Sequence, residues 1–210
     1  MDIIKADLNS TGLFKIKAGN EIECDQDIHP KNLEPQKDNG IKLILESKKK
    51  GNHDLELRYR LIDYKTDNNM IGKSLISKIS NYRRIAHKVS DAIYNKITGD
   101  RGYFNTKIAH VAEINGTKKL AIMDQDTANL HFITNGKELV MTPRLSFDGT
   151  KMIYMRYRAN QGKVYVKDLL KNKDSQVGEL TGLTSAPRFA PDGSNALMAR
   201  ATFGSIVQKG

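Results

Sequence analysis

The sequence predicts an α/β N-terminal domain over residues 1–104, followed by an all-β partial propeller of about two blades over residues 105–210. Three observations lead there. Two helical patterns bracket a strand-like stretch in the first half. The run Pro143 to Thr150 (Pro-Arg-Leu-Ser-Phe-Asp-Gly-Thr) returns 44 residues later as Pro187 to Ser194 (Pro-Arg-Phe-Ala-Pro-Asp-Gly-Ser). Lys119 to Asp124 recurs at the same offset as Lys163 to Asp168, with Lys first, Asp last and aliphatics at the same two places between. A period of roughly 40–45 residues is that of a propeller blade, and chance hairpins in a meander would not share a constant offset.

Taken in order, Asp2 to Asn9 places Ile4 and Leu8 one helical turn apart with Ile3 beside them, and Gly12 stops the helix before the apolar pair Leu13-Phe14, where a strand is expected. Residues 25–39 are polar, hold two prolines, and read as a loop. Ile41 to Ser47 and Asp54 to Asp63 flank a Lys-rich turn and predict an antiparallel hairpin. In its second strand Leu55, Leu57, Tyr59 and Leu61 alternate with charged residues, so one face should be covered and one wet. A further strand is expected near Asn69 to Ile76. Tyr82 to Thr98 predicts a helix with Ile85, Val89, Ala92, Ile93 and Ile97 on one stripe and Gly99 as its stop.

In the second half each unit reads as strand, Asp-Gly turn, strand, loop, strand. The glycine of Phe147-Asp148-Gly149-Thr150 can take a positive φ at little cost. Met152 to Arg158 alternates apolar with polar or long side chains, as a strand with two unlike faces should. Lys163 to Asp168 is the next strand, with Val164 and Val166 on one face.

The formal net charge is +10 and 39% of residues are hydrophobic, enough for a buried core. Phosphate neutralisation would make nucleic acid a natural partner for a basic chain, yet the lysines are scattered. The densest run, Lys48-Lys49-Lys50, precedes Gly51-Asn52 and fits a solvated hairpin loop. Arg83 and Arg84 lack the interleaved aromatic platform of a nucleic-acid binder, so no nucleic acid is expected. The lone Cys24 forms no internal disulfide. No run of about 18 apolar residues is present, so no membrane insertion is expected, and Met1 is followed by an acidic residue rather than an export signal.

Catalytic patterns are missing from the sequence. There is no Gly-x-Ser-x-Gly elbow and no Gly-rich phosphate loop. His29, His53, His87, His110 and His131 are dispersed without metal-ligand spacing. His87, beside the apolar stripe of its helix, fits a packing or capping role. Asp124-x-Asp126 lacks the later glycine and glutamate of a calcium loop, and Asp148 and Asp192 are turn residues by position. The chain is read as a non-enzyme with no catalytic, metal or cofactor site.

The stretch Ile85-Ala-His87, Ser90-Asp91, Thr98-Gly99, Gly102-Tyr-Phe104-Asn-Thr106 and Ile108-Ala109-His-Val111 resembles the helix-to-propeller junction of the TolB family, periplasmic proteins of the Tol-Pal system. The Phe-Asp-Gly and Ala-Pro-Asp-Gly turns at 147–149 and 190–193 resemble its blade motif. The resemblance implies an α/β domain and a six-bladed propeller. It implies a periplasmic, non-catalytic interaction scaffold serving outer-membrane integrity, cell division and protein import.

Pal, the peptidoglycan-associated lipoprotein, is the implied partner. The segment that engages TolA in the family is not matched, which leaves a TolA contact in question. None of the family's Pal-contacting residues is carried over, so the partner-binding residues are unassigned. The match also lacks a signal peptide and the first strand of the N-terminal domain, and breaks off in Phe203 to Gly210, where no blade-ending strand is expected. The chain therefore reads as a fragment, a decayed gene product or a short protein closing by association. About two blades cannot close a ring, and open blades should expose apolar faces and edges. A basic nucleic-acid binder and a propeller fragment of a serine hydrolase are the competing classes.

Overall fold

In a computed structural model, residues 2–14, 40–63, 65–159, 161–178, 183–202 and 205–209 are described. Cys24, His29 and the loop expected over residues 25–39 lie outside them. The chain divides into two compact units, Met1–Asn105 and Thr106–Gly210.

The first unit opens with helix α1 (Asp2–Ser10) and continues with β1 (Ile41–Lys50), β2 (Asp54–Asp63) and β3 (Asn68–Lys78). One turn of 3-10 helix (Ile79–Asn81) then leads into α2 (Tyr82–Thr98). The strands form an antiparallel sheet in the order β1-β2-β3. Leu43 pairs with Leu61 and Leu45 with Tyr59, and across the other ladder Leu57 pairs with Leu75 and Leu61 with Ile71. Both helices contribute to the core on this face: Ile4 and Leu8 from α1, and Val89 and Ile93 from α2, join Tyr59, Leu61 and Phe104. Gly99 closes α2 in the left-handed region (φ 81°), its N–H donating to the Asn95 carbonyl at 2.9 Å.

Four expectations are corrected here. Leu13 and Phe14 are not in a strand; Phe14 instead packs against the core. Lys48-Lys49-Lys50 is the exposed end of β1, not loop, and the turn is residues 51–53. Ile97, expected on the buried stripe, is exposed in the last turn of the helix. The face of β2 expected to be wet holds the buried Glu56, whose carboxylate is gathered in by Arg58 (2.9 Å), Ser74 (2.8 Å) and Lys50 (3.3 Å).

The second unit is three antiparallel sheets. The first is β4 (Lys107–Ile114), β5 (Thr117–Asp124) and β6 (His131–Phe132). The second runs β7 (Leu139–Leu145), β8 (Lys151–Arg158), β9 (Gln161–Asp168) and β10 (Lys173–Gln176). The third is β11 (Leu183–Phe189), β12 (Ala196–Thr202) and β13 (Ser205–Lys209). The 44-residue offset extends further than the two matched segments: β4 and β8, β5 and β9, and β7 and β11 are each displaced by that interval. A strand at Ser205–Lys209 replaces the patternless end expected there, because its pairing to β12 supplies what five residues cannot signal alone.

The second sheet is sandwiched. One face of β8, Met152 and Tyr154, packs with Leu120, Ile122 and Val140; the other, Ile153 and Met155, packs with Val164 and Met198. The faces expected to differ in polarity are thus both buried through Met155, and the apolar surface feared exposed on this sheet is covered by its neighbours. The edge strand β4 lies against β7 and β7 against β11, so these edges of the three sheets fall on a shared side. β7 and β11 carry the same bulge, with Thr142 at φ 50° before Pro143 and Ala186 at φ 51° before Pro187. Among the described residues no helix is long and apolar enough to cross a membrane.

Candidate partner-binding site

The turns that carry the repeat are built alike. The Gly149 N–H donates to the Ser146 carbonyl and the Gly193 N–H to the Ala190 carbonyl, both at 2.9 Å, and the glycines sit at φ 69° and 70°. Asp148 accepts from the Thr150 N–H at 3.0 Å and Thr150 Oγ1 at 2.8 Å; Asp192 accepts from the Ser194 N–H at 3.0 Å and Ser194 Oγ at 2.6 Å. Ser146 Oγ donates to Asp148 as well, and these bonds draw the Asp148 carboxyl down to about 2. Both aspartates are turn-holding groups by geometry.

The other described residues singled out in the sequence make short-range polar contacts. His87 Nδ1 lies 2.8 Å from Asp7 Oδ2, tying α2 to α1 inside the core, which is the packing role expected of it. Asp124 takes the Asn129 amide at 2.6 Å, and Asp126 accepts the Ala128 N–H at 3.2 Å. His53 accepts the Ile79 N–H through its carbonyl, and His131 Nδ1 lies 3.0 Å from the Asn129 carbonyl.

The junction residues have a common physical basis. Asp91 Oδ1 accepts the Phe104 N–H at 2.8 Å and Oδ2 the Asn105 N–H at 3.3 Å. A Cβ on Gly102 would fall 2.5 Å from Asp91 Cα, so only glycine passes there. Phe104 is fully buried, with the Tyr94 ring edge-on at 5.9 Å and Tyr103 at 4.7 Å. The Ser-Asp and Gly-x-Phe elements are two halves of one clasp.

A polar cluster that sequence reasoning missed lies on the second sheet, at the margin of the apolar layer it shares with the first. Tyr154 donates to Asp174 Oδ1 at 2.9 Å, and Arg156 donates to both the Tyr154 hydroxyl and Asp174 Oδ2. The Arg156 guanidinium lies over the Tyr165 ring at 4.2 Å and meets Glu138 at 3.3 Å. The largely buried Lys167 reaches Asp174 at 3.5 Å. Burial first, and then the Asp174 carboxylate, push the Tyr154 phenol well above its ordinary value. Tyr154 and Asp174 stand 20 residues apart, and charges on strands read as solvated faces, so only the Tyr154-x-Arg156 alternation could have hinted at the cluster.

Two adjoining depressions, of about 550 and 290 Å³, share Asn135 and Glu138 as a common wall. The larger opens between the β6–β7 connection and the β8–β9 turn and is lined by Lys137, Leu139, Tyr157 and Arg158. The connection is firmly seated. Ile133 N–H donates to the Leu120 carbonyl at 2.7 Å, Leu120 N–H to Thr134 Oγ1 at 2.9 Å, and Lys137 N–H to Asn135 Oδ1 at 3.0 Å. A Cβ on Gly136 (φ 83°) would lie 2.2 Å from Thr117 Cγ2, so the loop presses directly on β5. The arrangement offers charge and an apolar floor on a fixed frame, which suits binding.

Comparison with known proteins agrees. Residues 94–206, more than half of the chain, match the family described as TolB beta propeller domain. The Tol-Pal system protein TolB of Rickettsia massiliae is 40% identical over 211 residues, covering 97% of this chain and 48% of its own length. That of Rickettsia bellii is 44% identical over 163 residues, covering 75% of this chain and 37% of its own length. The chain thus spans about half the length, or less, of these curated relatives. The crystal structure of TolB from Acinetobacter baumannii superposes with a TM-score of 0.81 at 24% identity, over 99% of this chain and 53% of that one, a likeness of fold. Repeat period, blade turns, junction clasp and family match converge, and the chain belongs to the TolB β-propeller family.

Proposed function

We propose that this chain is a periplasmic, non-catalytic interaction scaffold of the Tol-Pal system, and that its partner is the peptidoglycan-associated lipoprotein Pal. What carries the reading is the family match over residues 94–206, joined to relatives named as Tol-Pal system proteins along nearly the whole chain. Its roles would be outer-membrane integrity, cell division and protein import. The seated loop and cleft at one end of the second sheet support the reading, because binding scaffolds place contact residues on loops held by a rigid frame. His87 is engaged with Asp7 between the two helices, and Asp148 and Asp192 hold blade turns.

The test is isothermal titration of the purified 210-residue chain with the soluble domain of Pal from the same organism. Saturable binding at one-to-one stoichiometry is expected. The absence of heat and of co-elution at high micromolar concentrations of both proteins would sink the assignment of Pal.

A further inference from the structure

We propose that the cleft lined by Lys137, Leu139, Tyr157 and Arg158 is a docking site for an acidic segment of a partner protein, with Arg158 and Lys137 as its carboxylate contacts; this rests on the scaffold reading and names the chemistry of what the scaffold holds.

The charge balance of the cluster points that way. Four cations, Lys137, Arg156, Arg158 and Lys167, stand against two carboxylates, Glu138 and Asp174. The carboxylates are committed inward. Asp174 is shared by Tyr154, Arg156 and Lys167, and Glu138 leans on Arg156 at 3.3 Å. Arg158 is left with one long contact, Nε to Glu138 Oε1 at 3.9 Å, and its side chain is 88% exposed. Lys137 forms no ion pair among the described residues and is exposed. The positive excess therefore sits at the cleft mouth.

A guanidinium whose fork is unspent matches a carboxylate in plane and spacing. Exposed Leu139 and half-buried Tyr157 give an apolar residue of the same segment a surface to cover. The wall is already ordered by the Gly136 contact with Thr117 and the bonds from Ile133 and Lys137, so little ordering is left to be done on binding.

The experiment titrates the full chain with the end-blocked peptide acetyl-Glu-Glu-Leu-Glu-Glu-amide and its all-Gln counterpart, read by amide chemical shifts. Saturable binding of the acidic peptide is expected, centred on residues 135–139 and 157–159, with none of the Gln peptide. Arg158→Glu and Lys137→Glu should each weaken it more than about tenfold, and Arg158→Lys less. Lys171→Glu makes the same charge change in the β9–β10 turn, at the far end of β9, and should leave affinity within about twofold.

No saturation, equal binding of the Gln peptide, or equal loss in Lys171→Glu and Arg158→Glu overturns the site. Two charge-reversal variants at exposed positions keep the test available if one misfolds. Pal, run against the same variants, separates the two readings. Pal binding that ignores Arg158→Glu and Lys137→Glu, together with no saturable binding of the acidic peptide, defeats the cleft and leaves the scaffold. Peptide binding without Pal binding leaves the cleft and defeats the choice of Pal.

Discussion

Asp91 holds two backbone N–H groups, those of Phe104 and Asn105, and its removal should be felt out of proportion to its size. Asp91→Ala leaves the Phe104 N–H unsatisfied beside a buried ring, and a loss of about 1–3 kcal/mol in urea unfolding is expected. Gly102→Ala drives a methyl into the Asp91 backbone and should cost about as much; wild-type stability in both variants would rule out the clasp. Acid sensitivity belongs to the same scale. Arg58 first, and then Ser74 and Lys50, draw Glu56 down to about 2, and Ser146 and Thr150 do the same for Asp148. Both folded values lie below the unfolded ones. The stability they contribute is therefore complete above the unfolded pKa and is lost as pH falls through about 4 towards 2. Glu56→Gln should flatten the fall of thermal midpoint over that window, and an unchanged slope would remove Glu56 from the account.

At the scale of elements, β8 is the strand on which the second unit turns. Its residues Met152 to Met155 are buried on both faces, while Tyr154 also carries the hydroxyl that Arg156 and Asp174 share. Tyr154→Phe keeps the packing and removes the bridge, so a loss of about 1 kcal/mol is expected; Asp174→Asn also costs the contacts to Arg156 and Lys167, and the double variant should lose less than the sum of the two single losses. Full additivity would show that the two side chains do not act together. What the sequence revealed and what it hid divide along one line. The α2 stripe, the β1–β2 hairpin and the blade turns were legible because each is set by local periodicity or by a glycine and an aspartate at fixed spacing. Buried Glu56, the Arg156 cluster and strand β13 were not, because each depends on a partner strand brought alongside by pairing. A charged residue on an alternating strand looks the same whether water or another side chain meets it. The resemblance at the junction was readable, but its reason, the fit of Gly102 against Asp91, exists only once the chain has folded back on α2.

For the whole molecule, the sandwich of the second sheet predicts where hydrogen exchange will be slowest. Amides of β8 and β9 should outlast those of β1 and β3, edge strands of the first unit's described sheet, with α2 also protected along its buried stripe. Exchange in β8 and β9 as fast as in the β8–β9 turn would mean that neighbouring sheets do not protect the central one in solution. The bulges of β7 and β11 bear on how such units can be multiplied. Each sets a proline, which has no N–H to give, and a kink into the strand that borders the shared side of the sheets. Two such borders cannot knit into one continuous ladder. Adjacent repeats are thus held to stacking through their side-chain layers, and a gene that duplicates this 44-residue module adds another wedge to the stack instead of another strand to a sheet.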